Sequence, residues 1–161
     1  MIRLEKFSNK LNRGVNWAAA GLLTAMMLLL VGNMIIRQIY VPLGGTSEIV
    51  GFMAALVAAF ALGYTQIKKG HVAIDFVVAH FPRRAQNVTD AIMSFLSLAL
   101  FVLISWQLVL LGNRYWELGS VAETTKIIFY PFIYAVAFGC FCICLVLLVD
   151  FLKLLLQVVK K

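Results

Sequence analysis

The chain has 161 residues, of which 63% are hydrophobic and only 13% charged, and it carries a formal net charge of +7. A chain of this length and apolarity cannot bury its side chains in one small water-soluble core, which excludes a soluble globular domain. The basic excess lies in short clusters between apolar runs and not in one patch, so it argues for membrane lipids as partners and against nucleic acid.

A spanning helix needs about 20 apolar residues to cross a hydrocarbon core of about 30 Å. Four runs qualify: 15–36, 49–67, 88–111 and 127–156. The predicted fold is therefore an all-α integral membrane protein, a single four-helix domain over residues 1–161. Eleven of the basic residues cluster before span one (Arg3, Lys6, Lys10, Arg13), between spans two and three (Lys68, Lys69, Arg83, Arg84) and at the end of the chain (Lys153, Lys160, Lys161). The alternate loops hold only Arg37, Arg114 and Lys126. This is the positive-inside pattern and predicts that both termini and the middle loop face the cytoplasm.

In chain order, residues 1–14 read as a basic, mildly amphipathic segment lying along the headgroups, with Ile2, Leu4, Phe7 and Leu11 toward lipid. The first span is too long in its apolar part, and ends too poorly for cleavage at Leu30 to Asn33, to be a signal peptide. It carries Asn16 and Asn33 near its ends and nothing ionisable between. The outer loop that follows holds Arg37, Gln38, Tyr40 and Pro42, which are turn and interface residues. Thr46, Ser47 and Glu48 then offer a helix cap with an acid in the first turn, where it complements the dipole.

Span two has a stripe of small residues, Gly51, Ala55, Ala59 and Gly63, at intervals of four. In a bilayer helices associate by close packing, so the stripe predicts a helix laid against it. After Gly70, residues 71–81 form a short apolar segment ended by Pro82, expected to be an amphipathic helix at the membrane interface. His71 and Asp75 share a face of it. Two ligands are too few for a closed metal site, and the pair reads as a cap or headgroup contact.

Asn87 and Asp90 resemble a capping pair opening span three. Within that span Gln107 is the side chain costliest to expose to lipid, and it should point at a partner helix or the outer interface. The loop 112–126, with Arg114, Tyr115, Trp116, Glu117 and Glu123, has the mixed aromatic and charged character of an interface belt. Span four is expected to be the longest and to tilt or project beyond the core, with Pro131 tolerated in its early turns. Its cysteines, Cys140, Cys142 and Cys144, form no Cys-x-x-Cys pair. Cys140 and Cys144 share a face, Cys142 points away, and all three read as small packing residues.

No Asp, Glu, Lys, Arg or His lies near the middle of any span, although an ion or proton pathway normally needs one. No histidine pair stands ready to hold a b-type haem, no outer-loop cysteine pairs exist for a disulfide oxidase, and no nucleophile or nucleotide motif is present. No catalytic, cofactor or metal residue is assigned, and the chain is not expected to be an enzyme. On the residues alone two readings stand beside each other, a self-sufficient four-helix transporter acting as a homo-oligomer and an anchor for a redox complex.

Four spans with Ser47 and Glu48 opening the second, Gly63 near its inner end, then Lys69-Gly70-His71-Val72-Ala73-Ile74-Asp75 followed by Pro82, together resemble the small (Q-type) membrane subunit of tripartite ATP-independent periplasmic (TRAP) transporters. Ile49 stands where a second acid often follows in that family. The resemblance implies a bacterial inner-membrane location and a scaffold beside a large multi-span subunit that carries the sodium and substrate sites. It also implies a periplasmic binding protein that delivers an organic acid. The outer-loop residues Arg37, Gln38, Tyr40, Arg114 and Glu117 are where that binding protein would touch this chain.

Overall fold

The computed structural model describes residues 2–39, 44–68 and 83–159. Among these residues are four α-helices: α1 (Ile2–Ile39), α2 (Thr46–Ile67), α3 (Arg83–Leu118) and α4 (Tyr130–Val159). Each contains a stretch long and apolar enough to cross a membrane. At about 1.5 Å per residue, the 22 residues of α2 span about 33 Å, close to the thickness of the hydrocarbon core. The expected interfacial helix, 71–81, lies outside the described residues.

Local chemistry sets the ends. Gly45 precedes α2 with φ of 80°, a left-handed conformation natural to glycine, and its carbonyl accepts from the Glu48 and Ile49 amides at 3.1 and 3.2 Å. Gly45 is thus the N-cap, no side chain caps this end, and Thr46 to Glu48 are the first turn of the helix and not its cap. The helix α3 stops at Gly119, φ 57°, where the Gly119 amide donates to the Trp116 carbonyl and the Ser120 amide to the Tyr115 carbonyl. This is a Schellman ending. The helix therefore runs past Gly112, and Arg114 to Glu117, expected in a loop, are helical. At its other end α3 begins at Arg83, which places Asn87 and Asp90 inside the helix and not at its cap. Pro131 is the second residue of α4, where its missing N–H disturbs nothing.

The longest helix is α1, with 38 residues against 30 for α4. It is continuous from Ile2, so the N-terminal segment does not form a separate surface helix. Phe7, expected toward lipid, is 64% exposed, and on another face of the same helix Ser8 and Asn12 are buried. The face that packs is the polar one, because small side chains let helices approach more closely than phenylalanine does.

The bundle is organised around α4, which packs on α3, α2 and α1, while α3 is joined to α4 alone among the helices with substantial contact. In the most apolar stretch of α4 50% of residues are buried, against 6% in α1 and α3. Ala137, Cys140, Cys142, Ile143, Cys144, Val146 and Leu147 make this core. Cys142 lies on the side of α4 opposite Cys140 and Cys144, yet all three cysteines are buried, since neighbours enclose α4 on several sides.

Glycines set the helix spacing. A Cβ on Gly139 would lie 2.9 Å from the Ala59 Cβ and 3.0 Å from the Ala59 carbonyl, so α4 and α2 touch backbone to backbone there. A Cβ on Gly112 would sit 2.8 to 3.1 Å from the Tyr134 ring, so α3 opens a slot for that ring. Tyr134 then donates to Asn113 Oδ1 at 2.6 Å, and the Ser105 hydroxyl donates to the Ala137 carbonyl at 3.4 Å.

Candidate functional site

Two polar constellations stand out against the apolar bundle, one near each end. The first is built on the segment that joins α3 to α4. Within it the Ala122 amide donates to the Ile127 carbonyl at 2.8 Å, the Lys126 amide donates to the Ala122 carbonyl, and Val121 and Ile128 form an isolated antiparallel bridge. The tip of this hairpin presents the amides of Thr124 and Thr125 to Glu48. Glu48 Oε1 accepts from the Thr124 N–H at 2.9 Å, and Oε2 accepts from the Thr125 N–H at 2.9 Å and the Thr125 hydroxyl at 2.8 Å. One carboxylate thus satisfies three donors from a loop 76 and 77 residues away in sequence.

The approach needs a glycine at Gly45, while a Cβ at Gly44 would make only an ordinary contact. A Cβ on Gly44 would be 3.5 Å from Thr124 Cγ2, and one on Gly45 would overlap Thr125 Cγ2. Beneath the clasp, Phe52 of α2 stacks on Phe132 of α4 at 4.7 Å and meets Phe129 edge-on at 5.3 Å. Tyr115 packs on Phe129, and Trp116 on Tyr130. Amphipathic rings of this kind are favoured where hydrocarbon gives way to headgroups.

The second constellation lies toward the other end, where three helices meet. Asn12 of α1 is 0% exposed. Its Nδ2 donates to the Ser8 carbonyl at 3.0 Å and to the Cys142 carbonyl of α4 at 3.4 Å. Its Oδ1 is directed at Gly63 of α2, where a Cβ would overlap it, and the Ile143 amide nitrogen is 3.7 Å from that same point. Asn12 Oδ1 and Ser8 Oγ have no hydrogen-bond partner among the described residues. Neither group can move a proton at neutral pH, so the junction is a packing device and not a relay.

The residues singled out in the sequence are distributed as follows. Glu48 is in the clasp with Ser47 exposed beside it, and Gly63 is in the junction. The small stripe divides: Ala59 and Gly63 are buried within this chain, whereas Gly51 and Ala55 are exposed, with nothing within 4 Å of a Cβ built on Gly51. Arg37 and Gln38 are exposed in the last turn of α1, and Arg114 and Glu117 near the end of α3. Tyr40, Gly70, His71, Asp75 and Pro82 lie outside the described residues. Among the described residues no group of three His, Cys, Asp or Glu side chains gathers as a metal site.

Sequence reasoning missed Ser8, Asn12, Thr124, Thr125, Gly112 and Gly139. The first two carried a signal: Ser8 and Asn12 are four apart, on the face of α1 away from Lys6, Lys10 and Arg13, which marks a small polar stripe. Thr124 and Thr125 carried none, because they act mainly through backbone amides.

A family model described as "Tripartite ATP-independent periplasmic transporters, DctQ component" matches residues 26–157. No curated protein and no solved structure matches the chain. The matched segment contains the clasp and the α2 and α4 sides of the junction, while Asn12 precedes it.

Proposed function

The chain belongs to the DctQ component family of tripartite ATP-independent periplasmic transporters, and from that premise we propose that it is the small scaffold subunit of a sodium-coupled, binding-protein-dependent importer of an organic acid. In this reading it sits in the bacterial inner membrane with both termini cytoplasmic. It braces a large multi-span subunit that moves the substrate by an elevator motion. The observation that carries the bracing role is the interior. The buried polar side chains among the described residues are Ser8, Asn12 and Thr46, none of them ionisable, and the rest of the core is apolar and close-packed. A wall with that interior supplies a fixed surface and no route for a charged solute.

The orientation places the clasp on the periplasmic side. By tying α2 to the α3–α4 hairpin, Glu48 holds that surface in one shape, with Arg37, Gln38, Arg114 and Glu117 exposed around it and Tyr40 following in the chain. These residues form a docking rim for the periplasmic binding protein.

The test is to tag the chain in its native membrane, solubilise gently and weigh what co-purifies. A single larger multi-span protein in stoichiometric amount is the expected result. Reconstituted with the binding protein, that complex should take up an organic acid only under a sodium gradient. Recovery of the chain alone as a stable homo-oligomer would overturn the reading and favour a self-sufficient four-helix transporter.

A further inference from the structure

We propose that the tip of the α3–α4 hairpin is a preformed carboxylate-binding site, filled by Glu48 of the same chain and open to a carboxylate from outside when Glu48 leaves it. The inference goes beyond the scaffold reading and does not rest on it.

The hairpin is closed by its own bonds. The Ala122 amide donates to the Ile127 carbonyl at 2.8 Å, the Lys126 amide to the Ala122 carbonyl at 3.2 Å and the Phe129 amide to the Ser120 carbonyl at 3.4 Å. Ala122 is buried and seats the hairpin on the bundle. Lys126 takes φ of 55°, the left-handed value that lets the chain turn back. None of these contacts passes through Glu48, so the turn at 123–125 owes its shape to the hairpin and not to the side chain it grips. Helix α2 is equally independent of the contact, because the Glu48 and Ile49 amides already donate to the Gly45 carbonyl.

Successive backbone N–H groups aimed together from a turn form a concavity suited to anions. This one is matched to a carboxylate. Each Glu48 oxygen accepts one amide at 2.9 Å, and Oε2 also accepts the Thr125 hydroxyl at 2.8 Å. Two N–H donors spaced for the two oxygens of one group give the geometric selectivity of a bidentate contact. A carboxamide has one acceptor oxygen and would turn its NH2 toward the other donor. Glu123 and Lys126 flank the tip, both exposed and of opposite charge, so selection rests on the amides and the hydroxyl. Thr124 is exposed and Thr125 half-buried, which leaves the donors within reach of solutes. Entry of an outside carboxylate and release of α2 from the hairpin are therefore one event, in which the tether gives Glu48 the advantage.

The experiment uses the full chain in detergent, the variant Glu48→Ala and acetate as the probe. Amide exchange at Thr124 and Thr125 in the variant should slow about three- to fivefold in about 0.2 M sodium acetate relative to sodium chloride at the same ionic strength. Acetamide should not slow it, and the Ala122 amide should stay protected throughout. In the unmodified chain acetate should change neither threonine, because Glu48 holds the place. Dye labelling of the buried cysteines checks that the core is closed. Should the alanine variant open it, Glu48→Gln, which keeps the side chain's volume, gives the same reading at the amide that its single carbonyl leaves free. Threonine exchange indifferent to acetate would overturn the proposal. Equal slowing in the variant and the unmodified chain would also overturn it, by placing the anion elsewhere. So would loss of Ala122 protection when Glu48 is removed, since the carboxylate would then build the site that it fills.

Discussion

Substituting Gly63→Ala should test the three-helix junction most directly. The new methyl would occupy the position of Asn12 Oδ1, and Asn12 cannot swing into solvent because it is fully buried between α2 and α4. Either α1 moves away or Asn12 turns and abandons the Cys142 carbonyl. Forcing a methyl into a packed interior costs about 1–3 kcal/mol, and losing an interhelical hydrogen bond in a membrane protein costs about 0.6–2 kcal/mol. Together they amount to about 2–5 kcal/mol, which for a chain of this size lowers the melting temperature by about 4–20 °C. The protein carries its own reporter. Cys140, Cys142 and Cys144 are all buried, so a thiol-reactive fluorogenic dye reads the opening of the core as temperature rises. The double variant Asn12→Ala with Gly63→Ala should lose at least about 1 kcal/mol less than the two single changes summed, since a shorter side chain at position 12 makes room for the methyl. A Gly63→Ala protein melting within about 2 °C of the unmodified chain would refute the junction as described.

Glu48→Ala should release the α3–α4 hairpin without unfolding the bundle, so amide hydrogen exchange at Thr124 and Thr125 should accelerate while exchange along α4 stays slow. Protection unchanged at both threonines would show that the carboxylate does not hold the hairpin. Ala59→Leu should destabilise the isolated chain by about 1–3 kcal/mol because Gly139 leaves no room, whereas Ala55→Leu should leave its melting unchanged. If Ala55 faces the larger component, Ala55→Leu instead reduces co-purification; equal effects of the two changes on the isolated chain would contradict the division of the stripe. Tyr134→Phe should cost about 0.5–1.5 kcal/mol by removing the bond to Asn113, visible as faster exchange in the last turns of α3 before any change in α1 or α2.

The four helices were legible in the sequence because hydrophobic length is a local property that the bilayer converts directly into structure. Where one ended was harder. Gly112 and Gly119 look alike in the sequence, and only the tertiary partner of the first, the Tyr134 ring, shows that it is a packing site inside α3 while the second terminates it. The stripe from Gly51 to Gly63 announced close approach without saying which half is used within the chain. Glu48 was recognised as an end-of-helix acid, but its partners are two amides more than 70 residues away, and nothing in a threonine pair advertises that its backbone will be gripped. Asn12 lies within the basic segment 1–14 expected along the headgroups, although its position four residues after Ser8 sets it on a different face from the charges. Local patterns give the extent of helices; which face meets which is settled by the geometry of three bodies at once.

The central position of α4 bears on how the protein is made. Of the four helices it is the last to leave the ribosome, yet it is the one against which α3 rests and the one that offers Asn12 a carbonyl. Until it is inserted, α3 lacks the one described helix on which it packs substantially, and the nascent α1–α2 pair has one polar contact unfilled. Assembly of the described helices is therefore a closing event and not a sequential stacking.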